Sequence, residues 1–265
     1  MYIPSVRGTA TVLTLILGLQ SCSGSDPAPA EPSAPDAPAG YDVRGALNDT
    51  GLTTCASDTE TALPCPVELY PGQDAEWGEN DAVAWTKLSA TGEPLAIQVH
   101  PWVEGGDEQM GMSWSCIQDG TTELTWEVKT GTDTHPRWGG HTYTWFDENE
   151  AINGGMAGRP DGGNCPTAPC DTQGYAAYVN AQKLCGFDDW RLPTVAELAG
   201  LARLNQVGPA MDTRYFPNVP QPRFFTAQTR AQDPLLAWYV YFSDGSVSST
   251  NKGDPSQLRL VRGGQ

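Results

Sequence analysis

Basic side chains are scarce in this sequence. Its 265 residues carry 15 lysines and arginines against 32 aspartates and glutamates, a formal net charge of −17. A field of that sign repels nucleic acid and sulfated polymers unless the few cations cluster, so the balance argues against a nucleic-acid partner. Histidine is equally sparse: His100, His135 and His141 are the three, and none stands in a His-Glu-x-x-His pattern. No Gly-x-Ser-x-Gly elbow occurs either. Carboxylate pairs abound in a chain this acidic, so no single pair points to general acid–base chemistry, and the sequence reads as that of a non-enzyme. No internal repeat is visible. Beyond the first twenty-one residues no apolar run approaches membrane-spanning length.

Glycine, proline and tryptophan are plentiful, at 29, 22 and 9 residues. That composition points away from a helical bundle and towards a loop-rich α+β domain with aromatic core residues. Residues 1–21 read as a targeting segment, with Arg7 as the positive end and Val12 to Leu19 as a short apolar run. Leu19-Gln20-Ser21-Cys22 resembles the lipobox of bacterial lipoproteins, which implies acylation of Cys22 and, with Ser23 next, an outer-membrane destination in the cell envelope. An ordinary secretory signal with Cys22 incidental is the other reading. Residues 22–40 are proline- and alanine-rich and cannot build a core, so they read as a tether. At ~3.1 Å per residue such a spacer reaches roughly 55 Å from a bilayer.

Six cysteines remain: Cys55, Cys65, Cys116, Cys165, Cys170 and Cys185. An even number in an exported chain reads as three disulfides, and zinc would need closer-set pairs of thiolates. Short loops favour Cys55–Cys65 and Cys165–Cys170, which leaves Cys116–Cys185. Residues 41–110 read as a β-rich N-terminal extension packed on a main domain of residues 111–265, with Leu95 to Val99 as one short strand pattern.

The densest signals lie between Asp171 and Ala202. Asp171-Thr172 starts a helix that the pattern carries to a stop at Cys185-Gly186. Thr194 and Glu197 form a capping box for a second helix, with Pro193 just before the cap. Leu198, Leu201 and Ala202 then mark one buried face. Trp190 and Leu192 read as plugs in the core between the two helices.

Cys170 to Thr172, Val179 to Ala181, Leu184 to Gly186 and Asp189-Trp190-Arg191-Leu192-Pro193-Thr194 resemble the signature of the Lcl C-terminal domain family, named after a bacterial collagen-like adhesin. Thr122 to Lys129, Tyr143 to Phe146, Asn153 to Gly155, and Trp238 to Val240 with Val261 to Gly264 extend the likeness in the same order, from about Cys116 onwards. The resemblance implies a surface recognition module. Arg-Leu-Pro-Thr followed by glutamate also occurs in formylglycine-generating enzymes, which by analogy implies a C-type-lectin-like fold. Their copper-binding cysteine pair near the C-terminus has no counterpart, since no cysteine follows Cys185.

Near the end, Trp238, Val240 and Phe242 alternate with Tyr239 and Tyr241, a strand with one face towards the core. Asp244-Gly245 reads as a two-residue hairpin turn, and Leu258 to Arg262 as a last strand. Two candidate sites follow. Asp147, Asn149, Asn153 and Asp161 offer hard oxygens suited to calcium, though not in an EF-hand pattern. Tyr239 and Tyr241 could stack on sugar rings, with Arg223 and Arg230 as the nearest members of a late run of cations that includes Lys252, Arg259 and Arg262; scattered solvated charges are the plainer account of that run. The sequence thus reads as a lipid-anchored envelope protein whose domain binds a glycan or a surface protein. The alternative is a structural or accessory subunit of an envelope or pilus-like assembly.

Overall fold

A computed structural model describes residues 48–76, 84–206, 208–219 and 223–263. Cys22, the targeting segment and the proline-rich tether lie outside the described residues.

Two antiparallel sheets carry the architecture. The first has the order β1 (Trp85–Leu88), β2 (Cys116–Asp119), β3 (Thr125–Glu127) and β7 (Val261–Arg262). The second is the meander β4 (Arg223–Thr229), β5 (Leu236–Tyr241) and β6 (Ser246–Asn251). Between them in sequence come α1 (Glu150–Asn153), α2 (Thr172–Ala181) and α3 (Val195–Ala199). All three disulfides pair as the loop lengths favour: Cys55–Cys65, Cys165–Cys170 and Cys116–Cys185.

Local chemistry explains the element ends. The Asp171 carboxylate accepts from the Gly174 N–H and starts α2. At α3 the capping box is complete, since Thr194 Oγ1 accepts from Glu197 N–H while Glu197 Oε2 accepts from Thr194 N–H. Arg191 adds two bonds to the Glu197 carboxylate, at 2.9 and 2.7 Å. Leu198, Leu201 and Ala202 are buried as their spacing requires, and Trp190 is 2% exposed.

Four elements differ from the sequence reading. Helix α2 stops at Ala181, before Cys185-Gly186, because Lys183 and Cys185 turn left-handed. That turn sends Cys185 to Cys116 and lets the Leu184 carbonyl accept from Trp190 Nε1. Leu95 to Val99 forms no strand. The Gln98 carboxamide bonds both the N–H and the carbonyl of Lys87, taking the groups a neighbouring strand would use. The described part of the N-terminal extension is therefore not β-rich: its strand is β1, the edge of the main sheet. The β5–β6 connection has four residues, not two, since Phe242 leaves the ladder to be buried and its carbonyl accepts from Ala210 N–H. Ladder pairing at the C-terminus is confined to Val261–Arg262, because the Leu260 N–H donates to the Glu127 carboxylate and Arg259 takes the Glu127 carbonyl that would otherwise pair with it.

Two aromatic cores result, and β4 touches both. Phe224 joins Trp114, Trp126, Phe216 and Phe242, while Phe225, on the opposite face, joins Tyr143, Trp145, Tyr175 and Trp190. A buried ionic group lies among these layers. Lys129 Nζ donates to Glu127 Oε1 at 2.8 Å and to Tyr175 Oη at 2.9 Å. Tyr175 Oη–H donates to the same carboxylate, and Arg259 donates to the Glu127 carbonyl at 2.5 Å. Burial by itself would raise the Glu127 carboxyl, but the Lys129 ammonium and its hydrogen bond hold it below the usual range. Burial outweighs Glu127 at Lys129 and pulls that ammonium down to about 8.

Removing the carboxylate leaves two buried cations facing one another. Glu127→Leu is expected to destabilise the protein by about 3–5 kcal/mol, read from urea midpoints. The charged carboxylate is favoured in the folded chain, so its contribution is complete above its ordinary value of 4.5 and is lost as pH falls through its lower folded-state value. The stability gap between wild type and Glu127→Gln should therefore shrink on acidification; a gap that widens would contradict the pairing.

Candidate functional site

The sequence candidates separate into three places. Tyr239 and Tyr241, two residues apart on β5, share one face, with ring centroids 6.5 Å apart and planes at 71°. Arg223 is the register partner of Tyr241, and its guanidinium lies 5.7 Å from the Tyr239 ring centre while donating to the Pro255 carbonyl at 2.9 Å. These three residues line an open cleft of about 560 Å³ together with Gly140, Thr142, Pro255 and Gln257.

The backbone fixes the cleft walls. Gln257 N–H donates to Arg223 O and Phe225 N–H donates to Gln257 O, so the chain before β7 runs along β4. Tyr143 and Ser256 exchange both backbone bonds, which places the Thr142 segment beside it. Gly140 is needed because a Cβ there would stand 2.4 Å from the Trp138 ring. Among the described residues no acidic side chain lines this cleft. Gln257 and Thr142 were not candidates from the sequence, where neutral polar residues carry no pattern.

Arg230 is elsewhere. Its guanidinium sits 5.9 Å from the Trp238 ring centre and bonds to Ser249 Oγ at 3.2 Å. Trp238 alternates with Tyr239 along β5, so the two arginines attend opposite faces. Nor do the other late cations form a patch. Arg262 grips the Asp189 carboxylate at 2.7 and 3.1 Å, whereas Lys252 and Arg259 are buried.

The acidic loop holds its own backbone. Asp147 Oδ1 accepts from Asn149 N–H, Asn149 Oδ1 accepts from Ala151 N–H as the cap of α1, and Asn153 Nδ2 donates to the Asp147 carbonyl. Asp161 belongs to a different hydrogen-bonded group, accepting from Cys170 N–H while its own N–H donates to Asp171. Among the described residues no three His, Cys, Asp or Glu side chains are grouped as metal ligands. The first loop also closes around an ammonium. Lys252 Nζ donates to Asn153 O at 2.9 Å and to Met156 O at 2.6 Å, 4.0 Å from the Trp145 ring centre. Burial lowers it to about 8, against the pull of the Asp147 carboxylate.

A mixed α+β domain with an aromatic cleft on one sheet face defines the class. The family model of the Lcl C-terminal domain matches residues 115–262, more than half of the chain, and the protein belongs to that family. No curated protein matches it at a significant level.

The Lys252 ammonium predicts a local effect. Lys252→Met leaves two carbonyls without their charged donor, and stability should fall by roughly 2 kcal/mol. Limited proteolysis should find new cleavage between Asp147 and Gly158. An unchanged midpoint and digest would mean that the ammonium does not hold the loop.

Proposed function

We propose that this protein is a non-catalytic recognition module of the bacterial cell envelope, lipid-anchored through Cys22 and binding a glycan or surface protein. The observation that carries the reading is the open cleft in which Tyr239, Tyr241 and Arg223 converge on one sheet face. Aromatic faces with a few convergent polar groups are what a ligand of mixed polarity requires. Membership of a family named after an adhesin supports the same reading. The sequence order of α2, α3 and the β4–β6 meander supports a C-type-lectin-like arrangement. Calcium at the Asp147 loop is a second element of the proposal, held by the hard oxygens that remain after the backbone contacts.

A glycan array probed with the full chain, with calcium and with chelator, tests both parts. Saturable binding to one glycan class is expected, and Tyr239→Ala and Tyr241→Ala should each weaken it at least about tenfold, near 1.4 kcal/mol. Calcium that binds the native state should also raise the thermal midpoint by mass action. A blank array in both conditions, with envelope proteins copurifying instead, would replace this reading with that of an assembly subunit.

A further inference from the structure

Gln257 lines the Tyr239–Tyr241 cleft and is 4% exposed, yet its carboxamide has no hydrogen-bond partner among the described residues. Its backbone is fixed on both sides by Arg223 and Phe225. The amide oxygen and nitrogen are not sealed from solvent but open into the cleft, so a ligand entering it can take the place of the water that would otherwise complete them. Thr142 Oγ1 and the two tyrosine hydroxyls, which line the same cleft, likewise make no hydrogen bond to the described residues.

We infer that the cleft takes an uncharged pyranose, read by Gln257 and Thr142 and stacked on Tyr239 and Tyr241, without a metal ion. This rests on the recognition reading above and narrows it. A carboxamide presents one donor and one acceptor side by side, which matches a pair of adjacent sugar hydroxyls. The two rings supply apolar faces for the C–H side of the same sugar. Direct chelation of a sugar through calcium needs carboxylate oxygens, and among the described residues none lines the cleft. Acidic sugars are disfavoured by charge. Among the described residues Arg223 is the one cation lining the cleft, its guanidinium is already tied to Pro255 O and the Tyr239 ring, and the chain as a whole is strongly acidic.

The test is an array of neutral and acidic glycans probed with the full chain in calcium and, separately, in chelator, alongside Gln257→Leu and Thr142→Val; a blank array means blank in both conditions. Neutral glycans should be retained, Gln257→Leu should weaken binding at least tenfold, and its thermal midpoint should match wild type because no internal bond is lost. Thr142→Val serves as the second probe should Gln257→Leu lower the midpoint. Retention of acidic glycans alone, dependence on calcium, or wild-type binding by both variants overturns the inference while leaving glycan recognition standing. A blank array overturns both.

Discussion

The Glu127 carboxylate is the point on which the rest of the structure depends. It sits on β3 at 0% exposure and collects Lys129 from its own strand, Tyr175 from α2 and the Leu260 N–H from the C-terminal segment. Arg259, bonded to the Glu127 carbonyl, stacks at 4.9 Å over Phe216 and at 5.9 Å over Phe224. One anion thereby orders the first sheet, the longest helix and the chain end, and it joins the two aromatic cores. Buried pairs of this kind contribute little net stability over apolar residues of the same volume, but losing one member is severe. Their effect is on arrangement: few alternative packings supply an ammonium, a phenol and an N–H to one buried carboxylate while a guanidinium takes the carbonyl of the same residue. The cleft inherits this order, because Arg259 and Leu260 fix the segment whose preceding residues, Pro255 and Gln257, line it.

Charge is distributed more unevenly than its count suggests. Five of the 15 basic residues, Lys87, Lys129, Arg203, Lys252 and Arg259, are buried among the described residues. Lys87 donates to the His100 carbonyl at 2.6 Å beneath the Trp114 ring, and Lys252 does the same for two carbonyls beneath Trp145. Lysines that look like solvated charges in the sequence are thus internal braces, each with an aromatic face and backbone oxygens in place of a carboxylate. Asp119, Glu127, Asp171 and Asp212 are buried as well, so the exposed charge stays close to the strongly acidic balance of the composition, which disfavours a polyanionic partner.

Local signals in the sequence were sound wherever a few residues settle the matter. The capping box at Thr194 and Glu197, the cap at Asp171 and the cysteine pairs Cys55–Cys65 and Cys165–Cys170 depend on short-range geometry, and they stand as read, with Cys116–Cys185 as the pair that remains. Signals failed where a distant side chain intervenes. Leu95 to Val99 has strand composition, but Gln98 occupies the groups of Lys87 that pairing would need. Asp244-Gly245 has turn chemistry, and Gly245 does adopt φ +81°, yet burial of Phe242 lengthens the loop around it. For the site, alternation along β5 was enough to bring Tyr239 and Tyr241 to one face. It could not separate Arg223 from Arg230, which requires knowing that β4 pairs with β5 and bulges between Phe225 and Thr229.

The cleft and the buried network follow opposite rules, and that contrast gives the site its meaning. Around Glu127 the side-chain oxygens and the ammonium of Lys129 are matched, so that region resists rearrangement. At Gln257 the backbone is equally fixed, while the side chain has nothing internal to hold. A group held in place without an internal partner favours a ligand that completes it, because little ordering remains to be done on binding. Specificity then arises from what the cleft fails to bond by itself. On that argument the informative residue is not the most exposed aromatic or the nearest cation, but the neutral amide that the fold positions and leaves without a partner.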